Sequence, residues 1–370
     1  MPALDLSEGL PHPLRPCLED ALAADRSVIV ATSGSTGSAK KVVLSANALM
    51  ASARATHERI GGPGQWLASL SAAHVAGLQV WVRSYLSGVA PVQMPSGPFT
   101  PSRFAAAAAR LQPEHRHYVS LVPTQAHRLI SDPVGRAALA GFDRVLIGGA
   151  PLPLSLATRL SDAGVVWTHT YGMSETCGGC VYDGVPLPGV EVRTDGALGE
   201  PGRLFICGPV LAQGYLQRAD LTEQAFLTLE GTRWFQTSDI GVQDLATGRW
   251  RVLGRLDDVI NSGGHKVHPD AVRDALLDLG VIEQAAVVAL PDPEWGQRVA
   301  ALIVPNHTHV DAQSLQEDPT RWLRTHLGPS LPNYALPARV TITDRLPRLP
   351  GGKVDGAGVQ AAIIQEDDRL

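Results

Sequence analysis

The chain has 370 residues, a formal net charge of −5 at pH 7, 44% hydrophobic residues and 18% charged residues. This length exceeds the size at which one hydrophobic core stops growing, so the composition predicts two or more globular domains and excludes a disordered chain. The acidic balance gives no reason to expect nucleic acid or a membrane surface as a partner, and no apolar run reaches the ~18 residues of a membrane span. The N-terminus lacks the pattern of a secretory signal, so we expect a cytoplasmic protein.

The first 250 residues alternate short apolar runs with amphipathic stretches, which is typical of layered α/β folds. Val28–Ala31 predicts a strand, and Ser45 predicts the N-cap of a helix that continues to about Arg59. The alanine-rich stretch 102–111 predicts a second helix. Further strands that run into polar loops are predicted at 117–122, 143–147 and 165–169. After Thr194 the segments shorten, which predicts a smaller β-rich part.

The chain changes character at "GRLDDVINSGGHKVHP" (254–269), which is polar and contains glycines. Beyond it the pattern predicts a helix at 269–279, strands at 284–290, 298–304 and 338–343, and a helix near 319–327. We place the domain boundary between residues 256 and 257, giving domains of 1–256 and 257–370. The predicted fold class is α/β (mixed α+β): a large N-terminal domain of layered sheets and helices, and a small α+β C-terminal domain.

Lysine is rare in this chain: only four of the 31 Lys and Arg residues are lysines, and each lies in or beside a glycine-bearing stretch. A compact ammonium directs its charge at one oxygen in a way that the planar fork of arginine does not. "TSGSTGSAK" (32–40) follows the first predicted strand, and backbone N–H groups, hydroxyls and Lys40 in such a loop can converge on an anion. The loop fits neither the Walker A nor the G-x-G-x-x-G spacing. It predicts a phosphate site, with a flexible Ser/Gly linker as the alternative.

Cys177 and Cys180 form a lone C-x-x-C pair. With no second pair at ligand spacing, we interpret them as reduced thiols, and a metal site is the less favoured alternative.

Six stretches, in order, resemble the motifs of the adenylate-forming superfamily of acyl- and aryl-CoA ligases, luciferases and peptide-synthetase adenylation domains. They are "TSGSTGSAK" (32–40), "GGAP" (148–151), "YGMSET" (171–176), "WFQTSD" (234–239), "GRLDDVINSGGHKVHP" (254–269) and "PRLPGGKVD" (347–355). The chain departs from the superfamily at Ala39, where proline is usual, and at Lys41, where glycine is usual. Neither change removes a phosphate ligand, so we expect ATP use to survive. The short segment before Thr32 leaves the oligomeric state open, with a homodimer as one option.

The resemblance implies two half-reactions. A carboxylate attacks the α-phosphorus of ATP to give acyl-AMP and pyrophosphate, and a thiol then displaces AMP. It also implies the cofactors ATP, Mg²⁺ and coenzyme A (a co-substrate), and a small-molecule carboxylic acid as the partner. Because the reactants are anionic, preorganised donors and a cation are the general physical solution.

The resemblance assigns Glu175 to Mg²⁺, which prefers oxygen ligands. It assigns Asp239 and Arg255 to the ribose, and Tyr171 to the adenine ring. Without the resemblance, Tyr171 also suits a core aromatic and Asp239 also suits a turn. The other residues assigned to ATP are Thr32, Ser33, Gly34, Ser35, Thr36, Gly37 and Lys40 of the phosphate loop, Gly148, Gly149 and Ala150 of the adenine turn, and Gly172, Met173, Ser174 and Thr176 of the Tyr171 motif.

The C-terminal motifs carry the remaining assignments. The resemblance makes Lys353 the catalytic cation of adenylation and Asp257 the hinge about which a mobile C-terminal domain turns between the half-reactions. It assigns Gly263, Gly264 and Lys266 to coenzyme A, with the glycines leaving room for the pantetheine arm.

The acid-binding residues are the least determined. The stretches "HVAGLQVWVRS", "SLVPTQAHRL" and "IGGAPLPLSLATRL" are similar to o-succinylbenzoate–CoA ligases of menaquinone biosynthesis, whose substrate carries a second carboxylate. His74 is a candidate catalytic gate and, with Arg83, Thr124, His127 and Arg128, a candidate substrate contact. The alternatives are a ligase for another aryl or acyl acid, a stand-alone adenylation enzyme that loads a carrier protein, and a nucleotide-binding regulatory module without catalysis.

Overall fold

The computed structural model describes residues 2–32, 40–306, 310–348 and 354–367. The chain forms two compact units. The first comprises Met1–Leu152, Leu156–Thr237 and Gln243–Arg251, and the second comprises Pro153–Ser155, Ser238–Val242 and Val252–Leu370. Both units contain helices and sheets, so the predicted mixed α/β fold class is confirmed. Among the described residues, no helix is long and apolar enough to cross a membrane.

The helices begin and end close to the predicted signals. Ser45 accepts a hydrogen bond from the Ala48 N–H at 3.1 Å and caps the helix, which ends at Gly61 with φ 98°. The alanine-rich helix ends at Ala108 instead of 111, because the next residues form tighter i→i−3 hydrogen bonds. The helices are α1 (Leu14–Ala23), α2 (Ala46–Ile60), α3 (Val75–Ser87), α4 (Pro101–Ala108), α5 (Pro123–Ile130), α6 (Pro133–Ala140), α7 (Leu154–Asp162), α8 (Ala219–Ala225), α9 (Pro269–Asp278), α10 (Ala312–Glu317), α11 (Pro319–Leu327) and α12 (Gly356–Asp367).

The strand predicted at Val28–Ala31 is confirmed, and another strand is longer than predicted. The strand predicted at 165–169 is Trp167–Met173, so the Tyr171 motif begins on a strand and not in a loop. The strands are β1 (Leu4–Asp5), β2 (Val28–Ala31), β3 (Lys41–Leu44), β4 (Gln65–Ala68), β5 (Val92–Gln93), β6 (His117–Leu121), β7 (Arg144–Gly148), β8 (Trp167–Met173), β9 (Gly178–Tyr182), β10 (Val185–Pro186), β11 (Glu191–Thr194), β12 (Gly202–Cys207), β13 (Gly214–Tyr215), β14 (Phe226–Leu229), β15 (Thr232–Gln243), β16 (Trp250–Arg255), β17 (Ile260–Ser262), β18 (His265–Val267), β19 (Ile282–Asp292), β20 (Gly296–Pro305) and β21 (Arg339–Ile342).

A seven-stranded sheet forms the centre of the first unit, in the order β10-β9-β8-β7-β6-β4-β5. Strands β4 to β8 are parallel, while β9 and β10 are antiparallel additions. After β4 the chain first adds β5 on one side and then returns to add β6 on the other. The strand order therefore reverses between β4 and β6, and in open α/β sheets the crevice at the carboxyl ends beside such a reversal is where ligands bind.

Both faces of this sheet are buried. Neighbouring residues on a strand point to opposite faces, so Trp66 and Tyr118 pack in the core that contains α2 and α3. Leu67 and Val119 pack in the other core, with α4 to α7. Continuous apolar strands between two helical layers are what a parallel sheet requires.

A second sheet of the first unit holds the predicted phosphate loop. Its order is β1-β2-β3-β13, with β2 and β3 forming an antiparallel hairpin in which Ala31 pairs with Lys41. The far strand, β13, pairs antiparallel with β3, and Tyr215 lies opposite Val42. Residues 33–39 connect β2 and β3 and lie outside the described residues.

Two further sheets complete the structure. One has the order β11-β12-β15-β14, with β16 also paired to β15. The sheet of the second unit has the order β18-β17-β20-β19, with β21 parallel to β20. Helices α9 and α11 pack with β20 around Leu276, Leu323 and Ile303, forming a core that belongs to this unit alone.

A positively charged side chain lies inside the helix layer of the first unit. The Arg83 side chain extends from α3 over the Trp66 ring, with its guanidinium carbon 4.8 Å from the ring centroid, and the residue is only 3% exposed. Its guanidinium donates hydrogen bonds to the hydroxyls of Ser120, at 3.4 Å, and Tyr182, at 3.5 Å. Burial and this charge lower the pKa of His57, on α2, from 6.5 to about 4.

The lowered pKa of His57 predicts a loss of stability in mild acid. The native state holds this imidazole neutral, whereas in the unfolded chain it takes up a proton below pH 6.5. Its contribution to the free energy of unfolding is therefore complete above pH 6.5 and is lost as the pH falls from 6.5 towards 4. We expect the free energy of unfolding to fall by about 2 kcal/mol between pH 7.5 and pH 5 from this group. Urea unfolding of the wild type and of His57→Leu at both pH values measures it. The variant keeps every other histidine and should lose about that much of the pH dependence. An equal pH dependence in the two proteins would contradict the assignment.

Candidate active site

Four loops meet along the carboxyl edge of the seven-stranded sheet. They follow β4, β6, β7 and β8. They carry His74, the adenine turn and the Glu175 turn, while the helices α3 and α5 after the first two loops carry the predicted residues from Arg83 to Arg128. Hydrogen bonds join the first loop to β6 and α5, because Ser69 donates to the Ser120 carbonyl at 2.7 Å and Gln125 donates to the Ser69 carbonyl at 3.5 Å. The sheet thus gathers residues that are far apart in sequence at the position where ligand sites form in this architecture.

The predicted adenine turn follows β7. Gly148 pairs with Thr170, and a Cβ at Gly148 would lie 2.2 Å from the Thr170 hydroxyl oxygen, so no side chain fits there. Gly149 has φ +80°, which favours glycine, and Ala150 is exposed. The Thr170 side chain therefore accounts for Gly148, and the next two residues of the turn, Gly149 and Ala150, are exposed at the edge of the sheet.

The Tyr171 motif runs along the end of β8 into a single 3-10 turn, Ser174–Thr176. A Cβ at Gly172 would lie 2.1 Å from the Gly178 carbonyl oxygen, so this strand end packs tightly against β9. Thr176 is fully buried, and its hydroxyl donates to the Gly178 carbonyl at 2.7 Å. The Thr176 side chain has no exposed surface for a nucleotide and instead holds the turn. Glu175, one residue earlier, is half-buried and reachable.

Two buried side chains hold the residue after this turn. Cys177 is left-handed, with φ 51°, a conformation that costs a non-glycine residue roughly 1 kcal/mol. Its carbonyl accepts hydrogen bonds from Gln79 at 2.7 Å and from Ser52 at 3.1 Å. Both Cys177 and Cys180 are buried thiols outside any disulfide, and burial raises the pKa of Cys177. Helices α2 and α3 thus fix the turn that carries Glu175.

The base of the β2–β3 hairpin places the two adjacent lysines differently. The Thr32 N–H donates to the Lys40 carbonyl at 2.8 Å, and the Lys40 N–H donates to the Thr32 hydroxyl at 3.2 Å, which closes the described part of the loop. Lys41 forms ion pairs with Asp5, at 3.5 Å, and with Glu8, which raise its pKa. Lys41, the departure from the superfamily pattern, is therefore paired with the N-terminal segment, which leaves Lys40 as the lysine for the predicted phosphate site.

Tyr215 lies between Lys40 and Glu175. The Tyr215 hydroxyl donates to Glu175 Oε1 at 2.8 Å, and Lys40 Nζ lies 5.3 Å from the centroid of the Tyr215 ring. Burial and the charge of Glu175 raise the pKa of Tyr215, so the hydroxyl stays a donor at neutral pH. Sequence reasoning missed Tyr215, because only strand pairing brings it here and a Gly-Tyr dipeptide carries no chemical signal of its own.

Glu175 fits a Mg²⁺ ligand. Of the side chains that the structure describes, Tyr215 alone hydrogen-bonds its carboxylate, through Oε1, which leaves Oε2 open. No cluster of three His, Cys, Asp or Glu residues suited to a metal occurs within the described ranges. Mg²⁺ is usually held by one or two carboxylates together with substrate phosphates and water, so one reachable carboxylate suffices.

The predicted ribose and hinge residues lie together within the second unit. Arg255 Nη1 lies 3.6 Å from Asp239 Oδ1, and Arg255 Nη2 lies 3.2 Å from Asp257 Oδ2. Arg255 Nε lies 3.9 Å from Asp258, whose pKa is raised by desolvation and by neighbouring carboxylates, although Arg255 opposes the rise. The structure thus links the two residues predicted for the ribose, and one guanidinium also contacts the predicted hinge residue.

The predicted coenzyme A glycines have different neighbours. A Cβ at Gly263 would lie 2.4 Å from the Trp295 ring, so the contact with Trp295 leaves no room for a side chain at this glycine. Gly264 has φ +83° and no atom within 4 Å of an added Cβ, so its surroundings are open. Lys266 is exposed on β18, two residues beyond the turn.

The predicted acid-binding residues divide by exposure. His74 is exposed at the N-cap of α3, and Thr124 is exposed in the first turn of α5. Arg128 is exposed and donates to the Phe99 carbonyl at 2.9 Å. His127, the neighbour of Arg128, is half-buried. Arg83, by contrast, is buried within the helix layer of the first unit.

Several predicted residues cannot be placed. The catalytic Lys353 and the phosphate-loop residues Ser33, Gly34, Ser35, Thr36 and Gly37 lie outside the described residues. Their assignments stay predictions.

Comparisons with known proteins identify relatives of this chain. A probable 2-succinylbenzoate–CoA ligase of Mycobacterium tuberculosis is 40% identical over 347 residues, which is 93% of this chain and 86% of that protein. An o-succinylbenzoate CoA synthetase from Bacillus subtilis, solved with the acyl-adenylate intermediate OSB-AMP, is similar with a TM-score of 0.74 and 27% identity, over 89% of this chain and 68% of that chain. A structure of the same enzyme with ATP and a magnesium ion has a TM-score of 0.74 and 26% identity, over 90% and 69% of the two chains.

Family comparisons cover both parts of the chain. The AMP-binding enzyme family matches residues 5–216, and the AMP-binding enzyme C-terminal domain matches residues 272–353. The resemblance to the adenylate-forming superfamily is thereby confirmed. The chain belongs to the AMP-binding enzyme family and carries the C-terminal domain of that family.

Proposed function

We propose that this AMP-forming acid–CoA ligase activates o-succinylbenzoate and transfers it to coenzyme A, as a cytoplasmic enzyme of menaquinone biosynthesis. The observation that carries the nucleotide half of the proposal is the arrangement of Lys40 and Glu175 on two sides of Tyr215. A cation for phosphate oxygens and a carboxylate for a metal ion lie on either side of one uncharged ring and do not neutralise each other. The similarity to 2-succinylbenzoate–CoA ligases supports the choice of acid.

The roles of the residues follow from charge. In the first half-reaction a substrate carboxylate oxygen bonds to the α-phosphorus while the bond to the bridging oxygen breaks, and pyrophosphate leaves. Both partners are anionic, so donors set in advance lower the barrier. We assign the β- and γ-phosphates to the hairpin loop with Thr32 and Lys40, adenine to Gly148–Ala150 and Tyr171, and the ribose to Asp239 and Arg255. Mg²⁺ bound at Glu175 would supply positive charge to the phosphate oxygens.

We assign the carboxyl-terminal cation Lys353 to the first half-reaction and Gly264 with Lys266 to coenzyme A in the second. We further propose domains of 1–256 and 257–370 that change orientation about Asp257 between the steps. The contact between Arg255 and Asp257 supports this assignment, since it joins a residue proposed for the nucleotide to the residue proposed for the hinge.

A panel of acids tests the substrate. Incubation with ATP, Mg²⁺, coenzyme A and either o-succinylbenzoate, benzoate or a fatty acid, followed by chromatography of the thioester, should give a kcat/KM for o-succinylbenzoate at least about 100-fold above the others. The reason is that a site built to pair a second carboxylate is left with unpaired polar groups by an acid that lacks one.

A phosphopantetheinylated carrier protein replaces coenzyme A in a parallel assay. Preference for benzoate, a fatty acid or the carrier would overturn the specific assignment, and no pyrophosphate release with any acid would favour a regulatory nucleotide-binding module.

Lys353→Ala tests the catalytic cation. We expect acid-dependent ATP–pyrophosphate exchange to fall at least about 100-fold, because the variant loses the charge proposed to stabilise the transition state of adenylation. Thioester formation from supplied acyl-adenylate should be largely retained. Lys41→Ala is the matched control, since Lys41 is ion-paired with Glu8 and Asp5 and should change the exchange rate by less than about two-fold. Persistent exchange in Lys353→Ala would refute the role.

Asp257→Pro tests the hinge. Proline fixes φ, so we expect thioester formation from acyl-adenylate to fall much more than ATP–pyrophosphate exchange. Asp257→Ala removes the same contact with Arg255 but leaves the backbone free, and it should affect the second half-reaction far less. Equal losses in both half-reactions, or equal effects of the two substitutions, would argue against a hinge at this position.

A further inference from the structure

Tyr215 contacts two groups that we assign to Mg²⁺-bound ATP, although it lies in none of the six sequence motifs. Its hydroxyl donates to Glu175 Oε1 at 2.8 Å, and Lys40 Nζ lies over its ring at 5.3 Å from the centroid. One uncharged side chain therefore touches both the carboxylate and the ammonium of the nucleotide site.

The surrounding structure fixes the position of this tyrosine. Antiparallel pairing places Tyr215 opposite Val42 of β3, and the Tyr215 N–H donates to the Thr222 hydroxyl at 2.9 Å. Its ring lies 6.1 Å from the Phe226 ring, and the residue is 9% exposed. The preceding Gly214 has φ +148°, and a Cβ there would lie 2.4 Å from the Thr222 side chain. Tyr215 is thus held by backbone and side-chain contacts that do not involve Glu175 or Lys40.

We infer that Tyr215 is a positioning residue for the nucleotide: it orients the Glu175 carboxylate for Mg²⁺ and the Lys40 ammonium for the phosphates. This inference rests on the function proposed above. It adds a residue that the motifs did not indicate and a specific task for that residue.

The hydrogen bond from Tyr215 can orient the Glu175 carboxylate without neutralising its charge. A hydroxyl donor fixes one carboxylate oxygen and leaves the other free to bind the metal. Since the donor is neutral, the carboxylate keeps its full negative charge. Partners of this kind restrict the rotation of a ligand, and their loss typically weakens metal binding 10- to 100-fold.

The ring acts on the lysine in a similar way. The face of an aromatic ring attracts an ammonium without neutralising it, an interaction worth about 0.5–1 kcal/mol at exposed sites. The ion pairs formed by the described residues do not include one between Lys40 and Glu175. A direct pair would neutralise both groups, whereas Tyr215 holds each of them with its charge available to a ligand.

Tyr118 provides a matched control elsewhere in the same unit. Its ring is fully buried beside Trp66, at 5.1 Å between centroids, and its hydroxyl donates to the Gly62 carbonyl at 3.1 Å. Removing this hydroxyl costs a comparable hydrogen bond without touching the nucleotide site, so Tyr118→Phe reports what a structural role alone would do.

The test is equilibrium binding of ATP by calorimetry to the full chain, first with EDTA and then at increasing Mg²⁺. For Tyr215→Phe we expect unchanged ATP affinity in EDTA and about a 10-fold rise in the Mg²⁺ concentration that gives half of the metal-dependent gain in affinity. Tyr215→Leu also removes the ring, so it should in addition weaken ATP binding in EDTA about 2- to 5-fold. Tyr118→Phe should match the wild type in both conditions.

A double-mutant cycle with Glu175→Gln shows whether Tyr215 acts through Glu175. In the Glu175→Gln background, Tyr215→Phe should cause no further change in the Mg²⁺ dependence, since the group it orients is already lost. Thermal unfolding of each variant without ligands is measured in parallel, so that a loss of stability is distinguished from a loss of Mg²⁺ dependence.

The outcomes separate this inference from the proposed function. If the wild type binds ATP more tightly with Mg²⁺ and folded Tyr215→Phe shows the same Mg²⁺ dependence, Tyr215 is not a positioning residue and the proposed function stands. Additive effects of the two substitutions, or an equal shift in Tyr118→Phe, would also overturn the inference. If the wild type does not bind ATP at all, both proposals fail.

Discussion

The pairing of β13 with β3 is the contact on which the proposed nucleotide site depends. Lys40 comes from a hairpin of the four-stranded sheet, and Glu175 comes from the end of a strand in the seven-stranded sheet. Tyr215 reaches both groups because β13 extends the hairpin sheet by one strand. Tyr215 thus contacts a residue from each of the two sheets. Its pairing with Val42 places its ring between the Lys40 ammonium and the Glu175 carboxylate.

The Glu175 turn is supported from below by polar groups inside an otherwise apolar layer. Gln79 and Ser52 donate to the carbonyl of left-handed Cys177, and Thr176 uses its hydroxyl for the adjacent Gly178. Buried polar groups are stable only when they are hydrogen-bonded. The packing of α2, which carries Ser52, and α3, which carries Gln79, brings these donors to the Cys177 carbonyl. The core and the active site are therefore not independent, since the packing of two helices sets the position of a carboxylate at the surface.

Charge is distributed in this enzyme so that the groups proposed to bind the nucleotide stay available. Lys41 is paired with the N-terminal carboxylates and Arg83 is buried, whereas Lys40 faces an uncharged ring. In the second unit Arg255 lies among carboxylates, and its contact with Asp257 joins the proposed ribose and hinge residues. Anionic substrates require cations that are held but not neutralised.

The sequence by itself determined the family, the fold class and the local elements, because caps, glycine turns and motif spacing act over a few residues. Ser45 predicted the start of α2, and the order of six motifs predicted nucleotide chemistry. Only the tertiary structure separated Lys40 from Lys41, assigned Gly263 to the Trp295 ring, enclosed Arg83 and brought Tyr215 to Glu175. Each of these depends on a partner remote in sequence, and strand register and helix packing, which no short pattern encodes, decide which remote residues meet.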